Sequence, residues 1–586
     1  MITRSCILPR TLPAAPTLLL TMFLLLSVLS LPKAQPVQAA MRLAGGENHT
    51  LALRADGTVW AWGDNSDGQL GNSLVVGNSA VPVQVMQDTD GDGDGDIPLS
   101  GIEAFGVGAD HCLALGTDGR VWAWGDNSNG QLGNGDATYI NSYVPVRVMK
   151  DTNGDGDGDI PLSGIRSIAA FGLNSLALGT DGTVWAWGNN IAGQLGNGDA
   201  THTNSFVPVQ VVTNPGGPAL VNIQAVAAGF FHSLALGTDG TVWAWGDNDH
   251  GQLGNGTITP KDVAVQVSGT GPGAGLVPGT IKAIAAGTFH SLALGTDDTV
   301  WAWGNNLVGQ LGNGSTTDSD VPVQIVTNPG VSALDNIEAI ASGANHCLAL
   351  DADGRLWAWG ENSSGQLGNG DGTITESLWP VQVVTSPGGP AFEDIEAIAS
   401  GAHHSLILAN GILNYGTVWG WGDNSDGQLG NGDATHANKN VPVLVKGPAP
   451  DGKGFLDLSL TIYPQRYTGD RPYSVIFGFM HSDRIDNTTG KWTFGDGASS
   501  VGDPSHTYTE AGTYEVTLTV DASDTDAPGP STQSTTGTVV VQDNSSGGGG
   551  GGGGGGCGVS QGASMGPEWL LLAGLAAALR VRRRKG

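Results

Sequence analysis

Two stretches of this sequence are dense enough in one chemistry to suggest a ligand. Asp88, Asp90, Asp92, Asp94 and Asp96 alternate with Thr89, Gly91, Gly93 and Gly95. A second run, Asp151, Asn153, Asp155, Asp157 and Asp159, repeats the pattern with one Asn, and both runs continue Ile-Pro-Leu-Ser-Gly-Ile. Carboxylates at alternate positions can wrap a hard cation while glycine permits the tight turn, so Ca2+ is the expected cofactor. Like charges this dense repel unless neutralised; a solvated acidic loop is the alternative.

Six histidines, His49, His111, His232, His290, His346 and His404, occupy one repeated position, with Asn174 at the seventh. A ring of imidazoles could hold a metal. A position that tolerates Asn reads better as one hydrogen bond per unit. The repeated Gln69, Gln131, Gln194, Gln252, Gln310, Gln366 and Gln428 take the same reading. No nucleophile–base pair, phosphate loop or H-E-x-x-H motif stands out, so no enzyme is expected. The acidic inserts open as D-x-[DN]-x-[DN]-G, but Leu99 and Leu162 stand where an EF-hand has its bidentate Glu, and no flanking helices are apparent. The inserts are more similar to the calcium loops of thrombospondins and dockerins.

The elements that must carry these residues are announced by tryptophan. Trp-Ala-Trp-Gly or a close variant begins at Trp60, Trp122, Trp185, Trp243, Trp301, Trp357 and Trp419, a period of 56 to 63 residues. Fourteen of the 17 Trp lie in these copies, which makes the period a structural repeat. Within one unit, residues 226–267, short apolar runs are divided by Gly, Asn and Asp, which is strand-and-turn chemistry. The expected strands are Ser233–Leu236, Val242–Trp245, a short one near Gln252-Leu253, and Val263–Val267. Side chains two apart share a strand face, so Trp243 and Trp245 lie together, opposite Val242 and Ala244. One such sheet cannot bury both faces; seven arranged radially can, and closure protects the edges. The fold class is therefore all-β, with a seven-bladed β-propeller over residues 41–446.

The His-Ser-Leu-Ala-Leu strand, the Gly-x-Val-x-x-Trp-Gly strand and Gly-Gln-Leu-Gly resemble the regulator of chromosome condensation repeat family across about 400 residues. The resemblance implies the propeller fold. It carries several functions, among them exchange on a small GTPase in the nucleus and inhibition of β-lactamase by secreted bacterial members, so function has to come from the rest of the chain.

The formal net charge is −31, with 24 Lys plus Arg against 55 Asp plus Glu. A nucleic-acid partner is not expected, because phosphate contacts need a basic footprint. Residues 1–40 read as a secretory signal: Arg4 and Arg10, the apolar run Leu18–Leu31, and small residues ahead of a cut near Ala39. Cys112 and Cys347 sit in the Ser slot of non-neighbouring units, so each is expected as a small buried residue rather than half of a disulfide.

A Pro/Gly linker, residues 447–454, leads to a second domain over 455–542. Its strand candidates are Leu456–Ile462, Val475–Phe479, Tyr514–Val520 and Thr538–Val541. Trp492-Thr493-Phe494-Gly495-Asp496-Gly497, His506-Thr507-Tyr508 and the run from Ala511 to Leu518 resemble the polycystic kidney disease (PKD) domain, which implies an Ig-like β-sandwich acting as an extracellular spacer or adhesion unit. A Gly-rich spacer, 543–564, precedes a hydrophobic segment with a basic end, 565–586. This tail is similar to the GlyGly-CTERM and Myxo-CTERM sorting signals, which implies processing or lipid attachment at Cys557 and membrane contact through the C-terminal segment.

These readings converge on an exported, surface-displayed bacterial protein that binds an extracellular protein or glycan without catalysis. Regulation or inhibition of a partner protein is the alternative, and a glycan-active enzyme ranks last. With the four strands assigned above, the acidic inserts and the Gly-Asp-Asn turns (Asp64, Asp126, Asp247, Asp423) fall on one face, opposite the Thr-Asp-Gly turns, and that loop-rich acidic face is the expected binding face.

Overall fold

In the computed structural model of the chain, the described residues are 43–446, apart from 55–56, 269–278, 328–331, 394 and 410–416, together with strands between 461 and 541. Each repeat is a four-stranded antiparallel sheet. In the fourth blade the strands are Ile223–Ala228, His232–Gly237, Val242–Gly246 and Lys261–Gln266, bonded in that order. First strands of successive blades neighbour one another around the axis, and the fourth strand lies outermost.

One expected strand is absent and one was missed. The Gln252-Leu253 segment is a turn, with the Gly254 N–H donating to the Gly251 carbonyl at 2.9 Å. Leu253 is buried because this loop dips between blades, where Gly254 at φ +60° lies so close to Trp303 that a Cβ would meet Nε1 at 2.7 Å. The true first strand is the Ala-rich Ile223–Ala228 ahead of the histidine.

The Trp residues set the spacing between blades. Trp243 and Trp245 do share a face: both pack on Leu176, Leu178 and Val184 of the blade before, while Val242 and Ala244 meet Trp303 of the blade after. The second Trp of every pair, from Trp62 to Trp421, is fully buried. A buried indole N–H needs an acceptor. Each finds the main-chain carbonyl of the preceding blade's repeated Gln at 2.8 to 3.0 Å.

The same carbonyl accepts a second hydrogen bond, from the Ser, Thr or Cys that follows the repeated His position in the second strand. At six of the seven joints that group in turn meets the histidine of the preceding blade, as in His111 Nε2 to Ser175 Oγ at 2.8 Å and His232 Nε2 to Ser291 Oγ at 2.8 Å. The histidine bond is thus made between blades rather than within one. Cys112 and Cys347 are free buried thiols that play the Ser part opposite His49 and His290. With the hydroxyl proton given to the Gln carbonyl, each imidazole donates from Nε2 and keeps a bare, unpartnered Nδ1. Burial lowers the six ring pKa values to about 3.

Blade one (Leu43–Gly45, His49–Leu53, Val59–Gly63, Ser79–Gln84) and blade seven (Ile395–Ser400, His404–Ala409, Thr417–Gly422, Lys439–Leu444) each take all four strands from one continuous stretch. The ring closes between them with the bonds used elsewhere: Thr50 Oγ1 to His404 Nε2 at 2.9 Å and Trp62 Nε1 to the Gln428 carbonyl at 2.8 Å. After the ring, Thr461–Tyr463, Tyr473–Gly478 and Ser505–Tyr508 form one sheet, and Ser499–Val501, Lys491–Thr493, Gly512–Ala522 and Ser531–Val541 form another, the two sheets of an Ig-like sandwich.

Two stability predictions follow from these joints. Trp303→Ala should cost about 3–5 kcal/mol in urea unfolding, and Ser291→Ala about 1–3 kcal/mol through the unpaired His232 Nε2. The histidines titrate near 6.5 when unfolded and near 3 when folded, so the unfolded chain binds more protons within that window. Their stabilisation is full above pH 6.5 and is lost as pH falls toward 3. Unfolding at pH 5 should take up about six protons through these rings, and His346→Asn should remove one, as read from the pH dependence of the unfolding free energy.

Candidate binding face at the channel mouth

Strand order fixes which turns share a face. Turns between the first and second strands lie with those between the third and fourth; turns between the second and third lie with the blade-to-blade links. Main-chain bonds tie each set together. Asp247 N–H donates to the Phe231 carbonyl at 2.9 Å and Asp126 N–H to that of Asp110 at 2.8 Å, whereas Thr238 N–H donates to Asn222 at 2.8 Å and Thr117 N–H to Gly101 at 2.9 Å. The Gly-Asp-Asn turns therefore surround the mouth of the channel. The acidic inserts, being links, belong with the Thr-Asp-Gly turns. The expected common face is thus divided, because the missing first strand and the supposed third strand reversed the parity.

Each first turn opens with a glycine pressed on the blade's histidine. A Cβ at Gly229 would meet His232 Cε1 at 2.4 Å and the next blade's Gly287 carbonyl at 2.7 Å. Beyond this fixed glycine the turns carry different side chains: Glu47-Asn48, Ala109-Asp110, Phe230-Phe231, Thr288-Phe289, Ala344-Asn345 and Ala402-His403. Main-chain bonds link them around the mouth, including Ala109 N–H to Gly172 at 2.8 Å and Ala402 N–H to Gly46 at 2.9 Å. Blade three departs from the rule. Its turn is only Gly172-Leu173, and Asn174 replaces the histidine.

A cavity of about 290 Å³ occupies the mouth. Its two sides differ in chemistry. On one side Phe171, Phe230, Phe231 and Phe289 form a continuous aromatic arc. Ring centroids lie 6.4, 4.7 and 5.6 Å apart in sequence, the last pair stacked at 20°. The other side presents Glu47, Asn345 and His403. Behind Glu47, Asp110 is pushed up to about 7 by burial and by the negative charges of Glu47, Asp67, Asp64 and Asp126. The Gln69 amide donates to Asp64 at 2.8 Å and to Asp110 at 3.4 Å. None of these mouth residues stands out in the sequence as a site. The signal available was variation at two positions directly ahead of an otherwise uniform histidine.

The acidic inserts are small hairpins whose stems pair Met86–Gln87 with Ile97–Pro98 and Met149–Lys150 with Ile160–Pro161. The first carboxylate organises each loop. Asp88 accepts the N–H groups of Asp90, Gly91 and Gly93 at 3.1, 2.7 and 2.8 Å; Asp151 does the same for Asn153, Gly154 and Gly156 at 3.0, 2.7 and 2.9 Å. Thr89 and Thr152 bind Asp96 and Asp159 and hold both carboxyls below the usual range. In the first loop, oxygens of Asp88, Asp90 and Asp96 converge within 4.8 Å of one another. Asp92 and Asp94 lie outside that group and share a hydrogen bond that raises Asp94; Asp155 raises Asp157 in the same way. In the second loop Asn153 donates its amide to Asp159 at 3.1 Å, where the first loop has a further carboxylate. Leu99 and Leu162, at the position of an EF-hand glutamate, are buried in the core. Ala39, Cys557 and the C-terminal apolar segment lie outside the described residues. Among the described residues no helix is long and apolar enough to cross a membrane.

Comparison with known proteins places this geometry in context. Residues 96–462 match the profile of the RCC1-like domain, residues 42–69 and 56–115 match that of the regulator of chromosome condensation (RCC1) repeat, and residues 463–541 match the PKD domain. The ultraviolet-B receptor UVR8 of Arabidopsis thaliana is 29% identical over 420 residues, 71% of this chain and 84% of the receptor. The human E3 ubiquitin-protein ligase HERC2 is 30% identical over 377 residues, 64% of this chain but 7% of the ligase. Among solved structures, Prp20p from Saccharomyces cerevisiae, described with its binding properties to Gsp1p and histones, is similar at a TM-score of 0.53 and 25% identity, covering 68% of this chain and 88% of Prp20p. Human WBSCR16, at a TM-score of 0.52 and 23% identity, covers 67% of this chain and 95% of its own and shares the fold. With its profile spanning more than half of the sequence, the chain belongs to the RCC1-like domain family.

Proposed function

We propose that this protein is a non-enzymatic binding protein that captures a protein partner on the channel-mouth face, exported and displayed at the cell surface. One observation carries the choice of face: a turn shared by six of the seven blades presents a different side-chain pair from each, gathered around a cavity. Repeat proteins vary where they bind. The repeated His, Gln, Ser and Trp residues are engaged in holding blades together, which argues against chemistry by them. The family supports a protein partner, since Prp20p is described by its binding to Gsp1p and histones. Export and display rest on the signal-like start and the sorting-like tail. Regulation of the captured partner would use the same contact.

A calcium reading is favoured for the first insert alone. Asp88, Asp90 and Asp96 converge, while Asn153 already satisfies Asp159 in the second.

Two measurements test these readings. Full-length protein should lose partner capture by about tenfold or more on Phe230→Ser with Phe231→Ser, while Asp239→Ala with Asp297→Ala on the opposite face should leave it unchanged. The reverse pattern would refute the assigned face. Calcium should raise the melting temperature relative to chelator, and Asp90→Asn should abolish that rise while Asp155→Asn does not. An identical melting curve with calcium and with chelator would return both inserts to solvated loops.

A further inference from the structure

The mouth cavity has the composition of a receptor for a single cation. Phe230, Phe231 and Phe289 line one part of it, and Glu47, from another blade, lines a different part. Aromatic rings and a carboxylate are the two groups that hold a guanidinium, by stacking and by charge-assisted hydrogen bonding. A volume of about 290 Å³ admits one long side chain.

The distribution of charge over the ring points the same way. Strands run toward the mouth in the first and third positions and away from it in the second and fourth. Arg54, Arg120, Arg147, Lys150, Arg166, Lys282, Arg355 and Lys446 all lie at strand ends remote from the mouth. Among the described residues only Lys261 and Lys439 begin at mouth-side ends, both on outermost strands, and Lys439 is bonded to Asp433 at 2.7 Å. The mouth side carries Glu47, Asp64, Asp67, Asp110 and Asp126 together. Its one lining group able to become positive, His403, has the Glu361 carboxylate 3.9 Å away. A buried carboxyl such as Asp110, with Glu47, Asp64, Asp67 and Asp126 around it, gains from an incoming positive charge.

We infer that the channel mouth receives an arginine side chain presented by the protein partner, with its guanidinium between Glu47 and the aromatic arc of Phe230, Phe231 and Phe289. This rests on the mouth being the binding face and adds the chemistry of what enters it. The arginine is an anchor: a planar cation seated at the centre of the contact, with the variable turns around it reading the flanking residues.

The test is calorimetric titration of the full chain with a capped Gly-Ser-Arg-Ser-Gly peptide and its citrulline counterpart, which keeps the shape and removes the charge. The arginine peptide should bind at one site, at least about tenfold tighter than the citrulline peptide. Glu47→Gln and Phe231→Ala should each weaken it about fivefold or more, while Asp92→Asn in the remote insert should leave it unchanged. Three results would overturn the inference: no binding of either peptide at 10 mM, a concentration of about that order being ample for an anchor site; equal binding of both; or weakening by Asp92→Asn as large as by Glu47→Gln, the mark of general attraction to an acidic protein. If both peptides bind alike while the Phe230/Phe231 double variant still loses its partner, the face stands and the arginine falls. If partner capture ignores that double variant while the arginine peptide still discriminates, the pocket stands and the capture reading falls.

Discussion

The ring depends on one kind of atom: the main-chain carbonyl oxygen of the repeated glutamine. It accepts an indole N–H and a hydroxyl or thiol from the next blade, seven times over. A carbonyl has two lone pairs, and here both are used in a place that water does not reach. This explains why the Gly-Gln-Leu-Gly turn is so uniform. Its side chain shapes the turn, as Gln69 does with Asp64, and its backbone fixes the neighbouring blade. It explains as well why Cys can replace Ser, since a weak donor of similar size suffices where the indole already holds the joint.

Much of the architecture was legible because the residues that pack are the residues that repeat. Trp243 and Trp245 two apart, alternating with Val242 and Ala244, announce a strand buried on both faces, and seven copies announce a ring. The error lay in the least patterned strand. Ile223–Ala228 reads Ile-Gln-Ala-Val-Ala-Ala, small residues near the axis with little alternation, whereas Gln252-Leu253 mimics a strand because Leu253 is buried from a turn. One strand misplaced reverses every later face assignment. The acidic inserts drew attention because density of charge is visible in sequence. The mouth did not, because Phe171, Phe230, Phe231 and Phe289 are more than a hundred residues apart at their extremes and meet only through ring geometry.

The fold thus separates two tasks by position within each blade. The second and third strands are nearly identical from unit to unit and supply cohesion. The first turn is free to vary, since its backbone is already fixed by the glycine under it and by bonds to the adjacent turn. Blade three makes the point from the other direction. Where the turn is shortened to Gly172-Leu173, the histidine bond to the next blade is replaced by Asn174, and the space is filled by Phe230 from blade four. The aromatic arc begins at the one joint that departs from the pattern.

Closure without strand exchange has a consequence of its own. Every blade is a single continuous segment, so no joint in the ring is topologically special, and the junction between blades seven and one differs from the others only in lacking a peptide link. Chain ends could be relocated to any of the inter-blade links with the same seven joints intact. By the same reasoning, tension applied at the two ends of the ring falls first on the one seam held by side chains and hydrogen bonds alone. Under load such a ring would open like a clasp at that seam, releasing blade one before any blade that is covalently joined on both sides.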